Sequence, residues 1–350
     1  MEKVPRIPGK GRRLQGEGRK KDQGPEISRE LIAMTHYSSL SLKAPAKINW
    51  FLNIIGLRDD GFHEIRTLMQ KISLCDMLTF APSKDIVVRT DAGIPFEQNL
   101  VYKAAMLLKG IYGVDRGADI QLEKNIPAGA GLGGGSSDAA AALRGLNKLW
   151  ELGLSTEELC KAAAQLGSDV PFFLHGPLCL AGGRGEKVTP CNAGAAVSIL
   201  LVKPHFNIST AWAYGEYKKR IHNAEHGART TSPLSEREWP DLPRKSGTSF
   251  ELTKKTSKVD NIRLLIHRLE SLEFREIKDI LSNDLESVAI KSFPVIAEIK
   301  KRLVEHGSEF SLMSGSGSTV FGVFNSSEKA ERAAEGFKDY RTAVVQTITD

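Results

Sequence analysis

The chain has 350 residues, of which 41% are hydrophobic and 26% charged, a composition typical of a soluble globular protein with room for two domains. No apolar run is long enough to span a bilayer, and the first residues lack the apolar core of a secretory signal, so we expect a cytoplasmic protein with no membrane partner. The net charge of +6 comes from residues 1–33 and 218–258, whereas the rest of the chain is slightly acidic. This distribution argues against a basic face that binds nucleic acid.

The four cysteines contain no C-x-x-C pair and do not cluster with histidines. They are therefore predicted to be reduced thiols rather than disulfides or metal ligands, and side-chain spacing identifies no metal site.

Two basic segments are predicted to lie outside the folded body. Residues 1–37 are rich in Gly, Lys, Arg and Pro and lack apolar periodicity, which predicts a disordered tail. Residues 221–258 lose periodicity in a similar way and indicate an exposed, flexible insertion. The remaining chain is predicted to form an N-terminal domain at 38–203 and a C-terminal domain at 204–350, which contains the insertion.

The first half of the chain opens with strand patterns. Residues 39–56 predict two strands with a break at Pro45. Further strands are predicted at 65–74, 77–82, 85–90, 118–125, 178–181 and 197–203. Helices are predicted at 100–112, 137–150 and 156–166. The last of these helices has the capping pattern of Ser155 followed by Glu158.

The second half combines helices with a second glycine-rich loop. Residues 311–324, SLMSGSGSTVFGVF, predict such a loop between two apolar strands. Helices are predicted at 261–269, 281–290, 293–306 and 328–337, with a last strand at 343–348. This mixture favours the α+β class over a doubly wound sheet.

The strongest functional signal is the stretch NIPAGAGLGGGSSDAAAA at residues 125–142. It lies between a predicted strand and a predicted helix, so its glycines form a loop that opens into a helix N-terminus. Glycine lets the backbone adopt positive φ and approach a ligand closely, and the free N–H groups and the helix dipole then favour phosphate. A glycine-rich linker is the plain alternative, but linkers rarely run into an alanine-rich helix.

The spacing G-x-G-x-x-G at Gly129, Gly131 and Gly134 is by itself a weak signal. A dinucleotide site would need an acidic residue at the end of a strand about 20 positions later, where this chain has a loop and a helix start. The Walker lysine is missing, and so are the H-R-D and D-F-G strings of protein kinases. The sequence therefore requires a different kind of phosphate loop.

Three further polar strings stand out, and they are APAKIN at 44–49, DDGFH at 59–63 and GSDVPFF at 167–173. Taken singly, Lys47 could be a strand residue with its amine at the surface, His63 a hydrogen-bonded core histidine, and Asp169 a turn or cap residue. Together with the phosphate loop, they supply what phosphoryl transfer to an alcohol needs. These needs are an anchored nucleotide, a cation beside the transferring group and a carboxylate near the accepting hydroxyl.

These motifs resemble the GHMP small-molecule kinases, whose second motif is similar to IPAGAGLGGGSSDAA at 126–140 and whose third is similar to MSGSGSTVFG at 313–322. The strings APAKIN, DGFHEIRTLMQ, LGSDVPFF and NDLE resemble the branch that phosphorylates 4-diphosphocytidyl-2-C-methyl-D-erythritol in the non-mevalonate isoprenoid pathway. The resemblance covers residues 43–325, apart from the insertion.

The resemblance implies a two-domain GHMP kinase fold with the site in the cleft between the domains. The N-terminal domain would be like ribosomal protein S5 domain 2, and the C-terminal domain would be ferredoxin-like. The resemblance also implies ATP and Mg²⁺ as cofactors, with magnesium ligands that the sequence does not identify. The partner would be a small-molecule substrate, CDP-methylerythritol, whose 2-hydroxyl is phosphorylated by a monomer or homodimer.

Carried over by position, the resemblance implies that Lys47 and Asp169 are the catalytic pair. The residues that would wrap the ATP phosphates are Pro127, Ala128, Gly129, Ala130, Gly131, Leu132, Gly133, Gly134, Gly135, Ser136 and Ser137. Those that would line the cytidine and diphosphate side are Asn49, Phe62 and His63, with Thr210 nearby and Tyr214 as a candidate for base stacking.

The chain departs from the family at Phe62, where tyrosine is usual, and at Trp50, where leucine is frequent. Phenylalanine keeps a stacking face but loses one hydrogen bond, which we expect to affect substrate affinity rather than catalysis. Two alternatives stay open: another GHMP kinase that acts on a smaller alcohol, and a non-catalytic nucleotide-binding protein. The presence of both Lys47 and Asp169 speaks against the second, since a binder needs no carboxylate facing an acceptor.

Overall fold

The computed structural model describes residues 40–91, 93–225, 265–268, 274, 277 and 280–350. The predicted tail at 1–37 lies outside these residues, as does most of the predicted insertion. Within the described ranges, no helix is long and apolar enough to cross a membrane. All four cysteines are free thiols, as predicted.

The first half of the chain builds a six-stranded sheet with helices packed against it. Its strands are β1 (Leu40–Leu57), β2 (His63–Ser83), β3 (Ile86–Thr90), β4 (Gly117–Glu123), β5 (Leu178–Gly182) and β6 (Lys187–Cys191). Its α-helices are α1 (Leu100–Tyr112), α2 (Gly134–Leu149), α3 (Thr156–Leu166) and the single turn α4 (Val170–Phe173). Strand β2 is central, because it pairs antiparallel with β1, β4 and β5.

The hairpin of β1 and β2 corrects two predictions. We predicted two strands in residues 39–56 and two more in 65–82, but each pair is one continuous strand. The break expected at Pro45 is taken up by a register shift, since Pro45 lies opposite Cys75 whereas Ala46 lies opposite Ile72. A bulge of this kind accommodates a proline that cannot donate to the ladder, and the strand continues past it.

The second half builds a four-stranded antiparallel sheet in the order β10-β7-β9-β8. Its strands are β7 (Ser198–Lys203), β8 (Phe310–Met313), β9 (Val320–Phe324) and β10 (Arg341–Gln346). Its helices are α5 (Thr210–Glu225), α6 (Glu286–Ser292), α7 (Val295–Glu305) and α8 (Ser327–Ala334). One strand, helices, a β-hairpin, a helix and a last strand make the ferredoxin-like arrangement. The predicted α+β class and the ferredoxin-like second half are therefore confirmed.

Several element boundaries differ from the predictions. Strand β7 belongs to the second sheet, although the predicted domain boundary after residue 203 placed it in the first domain. Residues 221–225, predicted as the start of the insertion, are the last turn of α5. Helix α2 begins before the predicted residue 137, because the helix starts within the glycine run. The elements that were not predicted are α4, α5 and β6, each too short or too weakly patterned to be recognised locally.

Helix α6 begins later than the predicted residue 281, because the residues before it dock on β1. Leu52 N donates to Ser282 O at 2.8 Å, and Asp284 N donates to Leu52 O at 2.9 Å. In contrast, α1 has the predicted bounds, and α3 carries the predicted capping box between Ser155 and Glu158.

One hydrophobic cluster joins the two halves and contains Trp50 of β1 together with Leu201 of β7 and Phe321 of β9. Trp50 is fully buried, and its indole N–H donates to Gln70 Oε1 at 2.7 Å. The Trp50 side chain is therefore accommodated in the core, and its buried N–H is satisfied.

Candidate active site

A cavity of about 840 Å³ lies where the two halves meet. Of the residues predicted for the site, those that line it are Lys47, Asn49, Phe62, His63, Pro127, Ala128, Gly129, Ala130, Gly131, Leu132, Gly133, Gly134, Gly135, Ser136, Asp169, Thr210 and Tyr214. Ser137 is the exception, because it is 1% exposed and its N–H donates to Gly133 O at 2.9 Å within the helix. Its hydroxyl is buried without a partner among the described residues. Ser137 therefore does not line the cavity, and its contact with the ATP phosphates stays a prediction.

The phosphate loop, residues 125–133, connects β4 to α2. Gly129, Gly131 and Gly133 have φ values of +61°, +74° and +71°, which side-chain-bearing residues rarely adopt. Gly133 occupies the N-cap position of α2 and provides no capping side chain, so the first amides of the helix keep unused hydrogen-bonding capacity. Residues 134–136 of this first turn line the cavity. This end of the cavity can therefore bind an anion through the N–H groups and the helix dipole.

A second glycine loop, residues 314–319, packs directly against the phosphate loop. Ser314 Oγ donates to Gly131 O at 3.0 Å, and Thr319 N donates to Ala130 O at 3.2 Å. A Cβ on Gly131 would lie 2.1 Å from Ser314 O, so no larger residue fits there without moving the loops apart. The MSGSGS motif indicated this loop in the sequence, but not which part of the phosphate loop it would support.

The string NDLE at 283–286 joins β1 to the second glycine loop. The side-chain amide of Asn283 donates to Met313 O at 2.8 Å and to Gly315 O at 2.7 Å. The carboxylate of Asp284 accepts from Ile54 N at 2.7 Å. These bonds fix the second loop relative to the strand that carries Lys47.

Lys47 lines the cavity and is only 3% exposed. Its Nζ donates to Asn49 Oδ1 at 2.7 Å and to Gly131 O at 2.9 Å, and it lies 3.9 Å from Asp169 Oδ2. Burial lowers the pKa of Lys47, and the nearby Asp169 carboxylate partly offsets that effect. The amine therefore links the phosphate loop to Asp169.

The orientation of Asn49 is set by a chain of hydrogen bonds. Asn49 Nδ2 donates to Thr67 Oγ1 at 2.7 Å, and the Thr67 hydroxyl donates to Phe51 O at 2.6 Å. The carbonyl oxygen of the Asn49 amide therefore points at Lys47 rather than away from it. Thr67 lines the cavity and was not predicted as a site residue.

Asp169 precedes α4 and has a side chain that is 37% exposed. It occupies the N-cap position, but its carboxylate makes no capping hydrogen bond. The plain alternative of a helix cap is therefore not supported by the geometry. The carboxylate faces the cavity beside Lys47 and can accept a hydrogen bond from a ligand.

Aromatic rings and cations form the end of the cavity near the start of β2. Phe62 is 53% exposed, and the guanidinium of Arg184 lies 4.7 Å from its ring centroid. The rings of His63 and Tyr214 lie 5.2 Å apart between centroids. Burial lowers the pKa of His63, and Lys218 lowers it further, so the neutral imidazole is favoured near pH 7. Arg184 and Lys218 line the cavity but were not predicted, because their positions carry no motif.

Thr210 lies at the first position of α5, close to the second glycine loop. Its hydroxyl oxygen is 3.0 Å from Ser316 Oγ, so the second half of the chain contributes two adjacent hydroxyls to the cavity.

A buried ion cluster lies beside the start of the phosphate loop. Lys124 Nζ donates to Asp138 Oδ2 at 2.7 Å and to Asp76 Oδ2, and Asp76 Oδ1 accepts from Ile126 N at 2.8 Å. Burial raises the pKa of Asp138 to about 7 even though Lys124 opposes the shift. Asp138 Oδ1 is buried without a partner among the described residues. The cluster ties the loop to α2 and was not predicted from the sequence.

Comparison with protein families identifies two matching regions. The model for the GHMP kinases N terminal domain matches residues 99–177, and the model for the GHMP kinases C terminal region matches residues 265–341. The first region contains the phosphate loop and Asp169, and the second contains the other glycine loop.

Similar proteins cover most of the chain. The 4-diphosphocytidyl-2-C-methyl-D-erythritol kinase of Thermodesulfovibrio yellowstonii is 42% identical over 311 residues, which are 89% of this chain and 99% of the relative. The protein of the same name from Geobacter metallireducens is 40% identical over 306 residues, which are 85% and 93% of the two chains.

Among solved structures, a crystal structure of 4-(cytidine 5'-diphospho)-2C-methyl-D-erythritol kinase matches with a TM-score of 0.67 and 32% identity. The match covers 88% of this chain and 99% of that protein. Since sequence identity, both domain models and the fold agree along the length of the molecule, the chain belongs to the GHMP kinase family, in its 4-diphosphocytidyl-2-C-methyl-D-erythritol kinase branch.

Proposed function

We propose that the chain transfers the γ-phosphoryl group of ATP to the 2-hydroxyl of 4-diphosphocytidyl-2-C-methyl-D-erythritol in the non-mevalonate route to isoprenoid precursors. The observation that carries this proposal is the position of Lys47 and Asp169, whose charged groups are 3.9 Å apart in one cavity. The anion-binding end of α2 and the aromatic end near His63 line that same cavity. Relatives of nearly the same length that carry this activity in their names support the assignment.

The phosphate loop is proposed to hold the ATP phosphates. The first amides of α2 and the loop glycines Gly129, Gly131 and Gly133 offer N–H groups that carry no side chain nearby on their own residue. Lys47 would balance the charge that develops on the transferring phosphoryl oxygens. Its hydrogen bonds to Asn49 and Gly131 fix the amine before any ligand enters, so it needs little reorganisation.

Asp169 is proposed to act as the general base. Its carboxylate would accept the proton of the 2-hydroxyl while the hydroxyl oxygen bonds to the γ-phosphorus and the bond to the β–γ bridging oxygen breaks, which releases ADP. The transition state of such transfers is loose, so positioning and charge balance supply most of the rate acceleration.

The aromatic end is proposed to bind the cytidine and diphosphate groups. A neutral His63 imidazole offers one donor and one acceptor to the edge of a base, and Phe62 and Tyr214 offer ring faces. Arg184 and Lys218 place positive charge where a diphosphate would need it.

Mg²⁺ is proposed to enter with ATP rather than to bind a preformed protein site. Among the described residues, no group of three or more His, Cys, Asp or Glu side chains could hold a metal ion. This donor set fits an ion held mainly by phosphate oxygens and water, which leaves the Asp169 carboxylate free to act as the base. When bound, the ion would neutralise phosphate charge.

An ADP-release assay with a panel of alcohols tests the function directly. We expect turnover with the cytidylyl substrate and little with mevalonate, homoserine or galactose. Turnover with a smaller alcohol alone would replace the proposal by another GHMP kinase activity. Calorimetric binding of the cytidylyl substrate without ADP release would indicate a non-catalytic binding protein.

A further inference from the structure

Three consecutive carbonyl groups end the short turn that begins after Asp169, and each accepts a hydrogen bond from a cation. Lys71 Nζ donates to Phe173 O at 3.2 Å and to His175 O at 2.7 Å. The guanidinium of Arg144 donates to Leu174 O at 2.7 Å. The donors come from different elements, because Lys71 lies on β2 and Arg144 on α2. We refer to Lys71 and Arg144 together as the cation clamp.

Burial of both cations at this position is unfavourable for the folded state when considered without their hydrogen bonds. Lys71 is 7% exposed, and burial together with the Arg144 charge lowers its pKa to about 8. Burial also lowers the pKa of Arg144. Within the described part of the chain, neither cation forms an ion pair with a carboxylate. The carbonyl dipoles compensate them, together with the Phe172 ring, whose centroid lies 5.7 Å from Lys71 Nζ. An apolar side chain would fill the same space without this desolvation cost. We therefore attribute the role of the cations to the carbonyl groups that they hold in place.

Those carbonyls are directly connected to the catalytic pair. Asp169 and Phe173 stand at the two ends of a single helical turn, so a shift at one end moves the other. The ring of Phe173 also contacts the space above Gly133, where an added Cβ would lie 2.9 Å from Phe173 Cζ and 3.0 Å from Lys47 Cγ. The Phe173 ring, at the end of the turn that the cations hold, therefore lies against Gly133 of the phosphate loop and close to Lys47.

Both supports of the turn are firmly held. Lys71 N donates to Pro177 O at 2.8 Å, and its carbonyl accepts from Ile348 N at 2.9 Å. Arg144 lies on the same helix whose N-terminus carries the phosphate loop. The cations thus connect the Asp169 turn to the central strand of the sheet and to the helix that faces the nucleotide.

We propose that Lys71 and Arg144 are positioning residues, which hold the turn between Asp169 and Phe173 so that the Asp169 carboxylate stays aligned with Lys47 and the phosphate loop. The inference rests on the proposed function, since it requires Asp169 to act on an acceptor hydroxyl. Misplacement of a catalytic group by about 1 Å can cost about 100-fold in rate, so a clamp of this kind has a measurable effect.

The test compares Lys71→Met and Arg144→Met with the unchanged protein, using steady-state ADP release with the cytidylyl substrate. We expect each variant to lower kcat by about tenfold or more while the KM for ATP changes by less than about threefold, because the groups act on alignment rather than on nucleotide binding. Lys71→Arg keeps the charge and the donors, and should restore most of the kcat.

A matched control removes a cation from another helix end. Arg116 donates to Trp150 O at the C-terminal end of α2, about 24 Å along the helix axis from the phosphate loop. Arg116→Met removes a hydrogen bond of the same kind, from a cation to a carbonyl, but should leave kcat unchanged.

A double-mutant cycle distinguishes positioning from general support of the fold. If Lys71 acts through Asp169, Asp169→Asn will lower kcat by a smaller factor in the Lys71→Met background than in the unchanged protein. Equal factors in both backgrounds would overturn the proposal, as would a Lys71→Met variant with normal kcat. If the unchanged protein makes no ADP, the proposed function fails instead. If Asp169→Asn alone keeps normal kcat, the base role of Asp169 fails, and the positioning proposal fails with it.

If Lys71→Met does not fold, the pH dependence of kcat in the unchanged protein and in Lys71→Arg tests the proposal. The groups that face Lys71 are Arg144 on α2, Cys179 on β5, and His175, which in turn lies 3.4 Å from Cys160 Sγ on α3. The pKa of Cys179 is raised to about 12, so this thiol stays neutral across the tested range. We expect kcat of the unchanged protein to fall above pH about 8, where Lys71 loses its proton, and the fall to move to higher pH in Lys71→Arg.

The titration of Lys71 cannot lower kcat at alkaline pH by unfolding the protein. Its pKa is about 8 in the folded protein, against an ordinary value of 10.5, so the contribution of this group to stability rises between these pH values. A fall of kcat at the same alkaline pH in the unchanged protein and in Lys71→Arg would overturn the proposal.

Discussion

The amine of Lys47 lies 3.9 Å from Asp169 Oδ2, yet its short hydrogen bonds go to Asn49 and to the Gly131 carbonyl. The carboxylate therefore has a cation beside it without a direct hydrogen bond from that cation. A carboxylate held in this way can accept a hydrogen bond from an alcohol while the cation balances charge on a nearby phosphoryl group.

The first prediction is that Asp169→Asn lowers kcat by about 100-fold or more, the usual scale for loss of a general base. The amide keeps the shape of the side chain, so the dissociation constants of both substrates should change little. ADP-release kinetics and calorimetry measure the two effects separately. Asp119→Asn, which removes a half-buried carboxylate paired with Arg89, is the control for a change of net charge. Near-normal kcat in Asp169→Asn would rule out the assigned role.

The second prediction concerns selectivity for the cytidylyl group. Phe62→Ala should raise the KM for the cytidylyl substrate by about 5- to 150-fold, because stacking of a base on an aromatic ring contributes about 1–3 kcal/mol. The KM for ATP should stay within about twofold. Phe62 is 53% exposed at the aromatic end of the cavity, so its loss should cost little stability.

Phe62→Tyr is the matched variant, since it keeps the ring and adds the hydroxyl that the family usually has at this position. We expect it to lower the KM for the cytidylyl substrate or leave it unchanged. Equal increases in both KM values for Phe62→Ala would mean that the ring supports packing rather than base binding.

The third prediction is that Gly131→Ala separates the two glycine loops. The new Cβ would meet Ser314 O at 2.1 Å, and φ is +74°, so both sterics and backbone conformation oppose the change. We expect a lower unfolding temperature and a KM for ATP that rises by about tenfold, since a contact at this distance must displace one loop.

Gly153→Ala is the control for the backbone conformation alone. Gly153 has φ +66°, but a Cβ there would meet nothing within 4 Å. Gly153→Ala should therefore lower the free energy of unfolding only by the cost of a left-handed backbone conformation, about 1–2 kcal/mol, and should keep normal kinetics. Equal effects of the two substitutions on stability and on the KM for ATP would contradict the proposed contact between the loops.

The fourth prediction concerns the pH dependence of stability. The pKa of Asp138 is raised to about 7 in the folded protein, so the folded state binds more protons at this site than the unfolded state between pH about 4 and 7. The contribution of Asp138 to stability is therefore complete at low pH and is lost as the pH rises through about 7. Asp138→Asn does not titrate, so its unfolding temperature relative to the unchanged protein should increase from pH 5 to pH 8. Thermal unfolding at several pH values measures this difference, and a decrease would contradict the assigned shift.

The fifth prediction returns to the insertion. Replacement of residues 226–258, which begin after the last turn of α5, by a short Gly-Ser linker should leave kcat nearly unchanged, because a segment without apolar periodicity contributes little core. Loss of activity in a variant that keeps its unfolding temperature would mean that the segment takes part in the site.

Local patterns in the sequence determined the short-range features of this protein. The bounds of α1 followed from apolar residues at helical spacing, and the capping box of α3 followed from Ser155 and Glu158. The glycine run predicted a loop that opens into a helix, because positive φ and an uncapped helix N-terminus depend only on neighbouring residues. The motifs also indicated the GHMP kinase family.

Only the tertiary structure decided which distant residues meet. Lys47 reaches Asp169 because β1 and the turn at α4 pack against the same helix, and no local pattern encodes that distance. Strand β7 joins the second sheet, although nothing in its own residues distinguishes one sheet from the other. Lys71 and Arg144 belong to none of the functional motifs in the sequence, and only folding directs both toward the carbonyls after Asp169. Register, burial and packing between elements determine such contacts, whereas periodicity along the chain determines only the elements themselves.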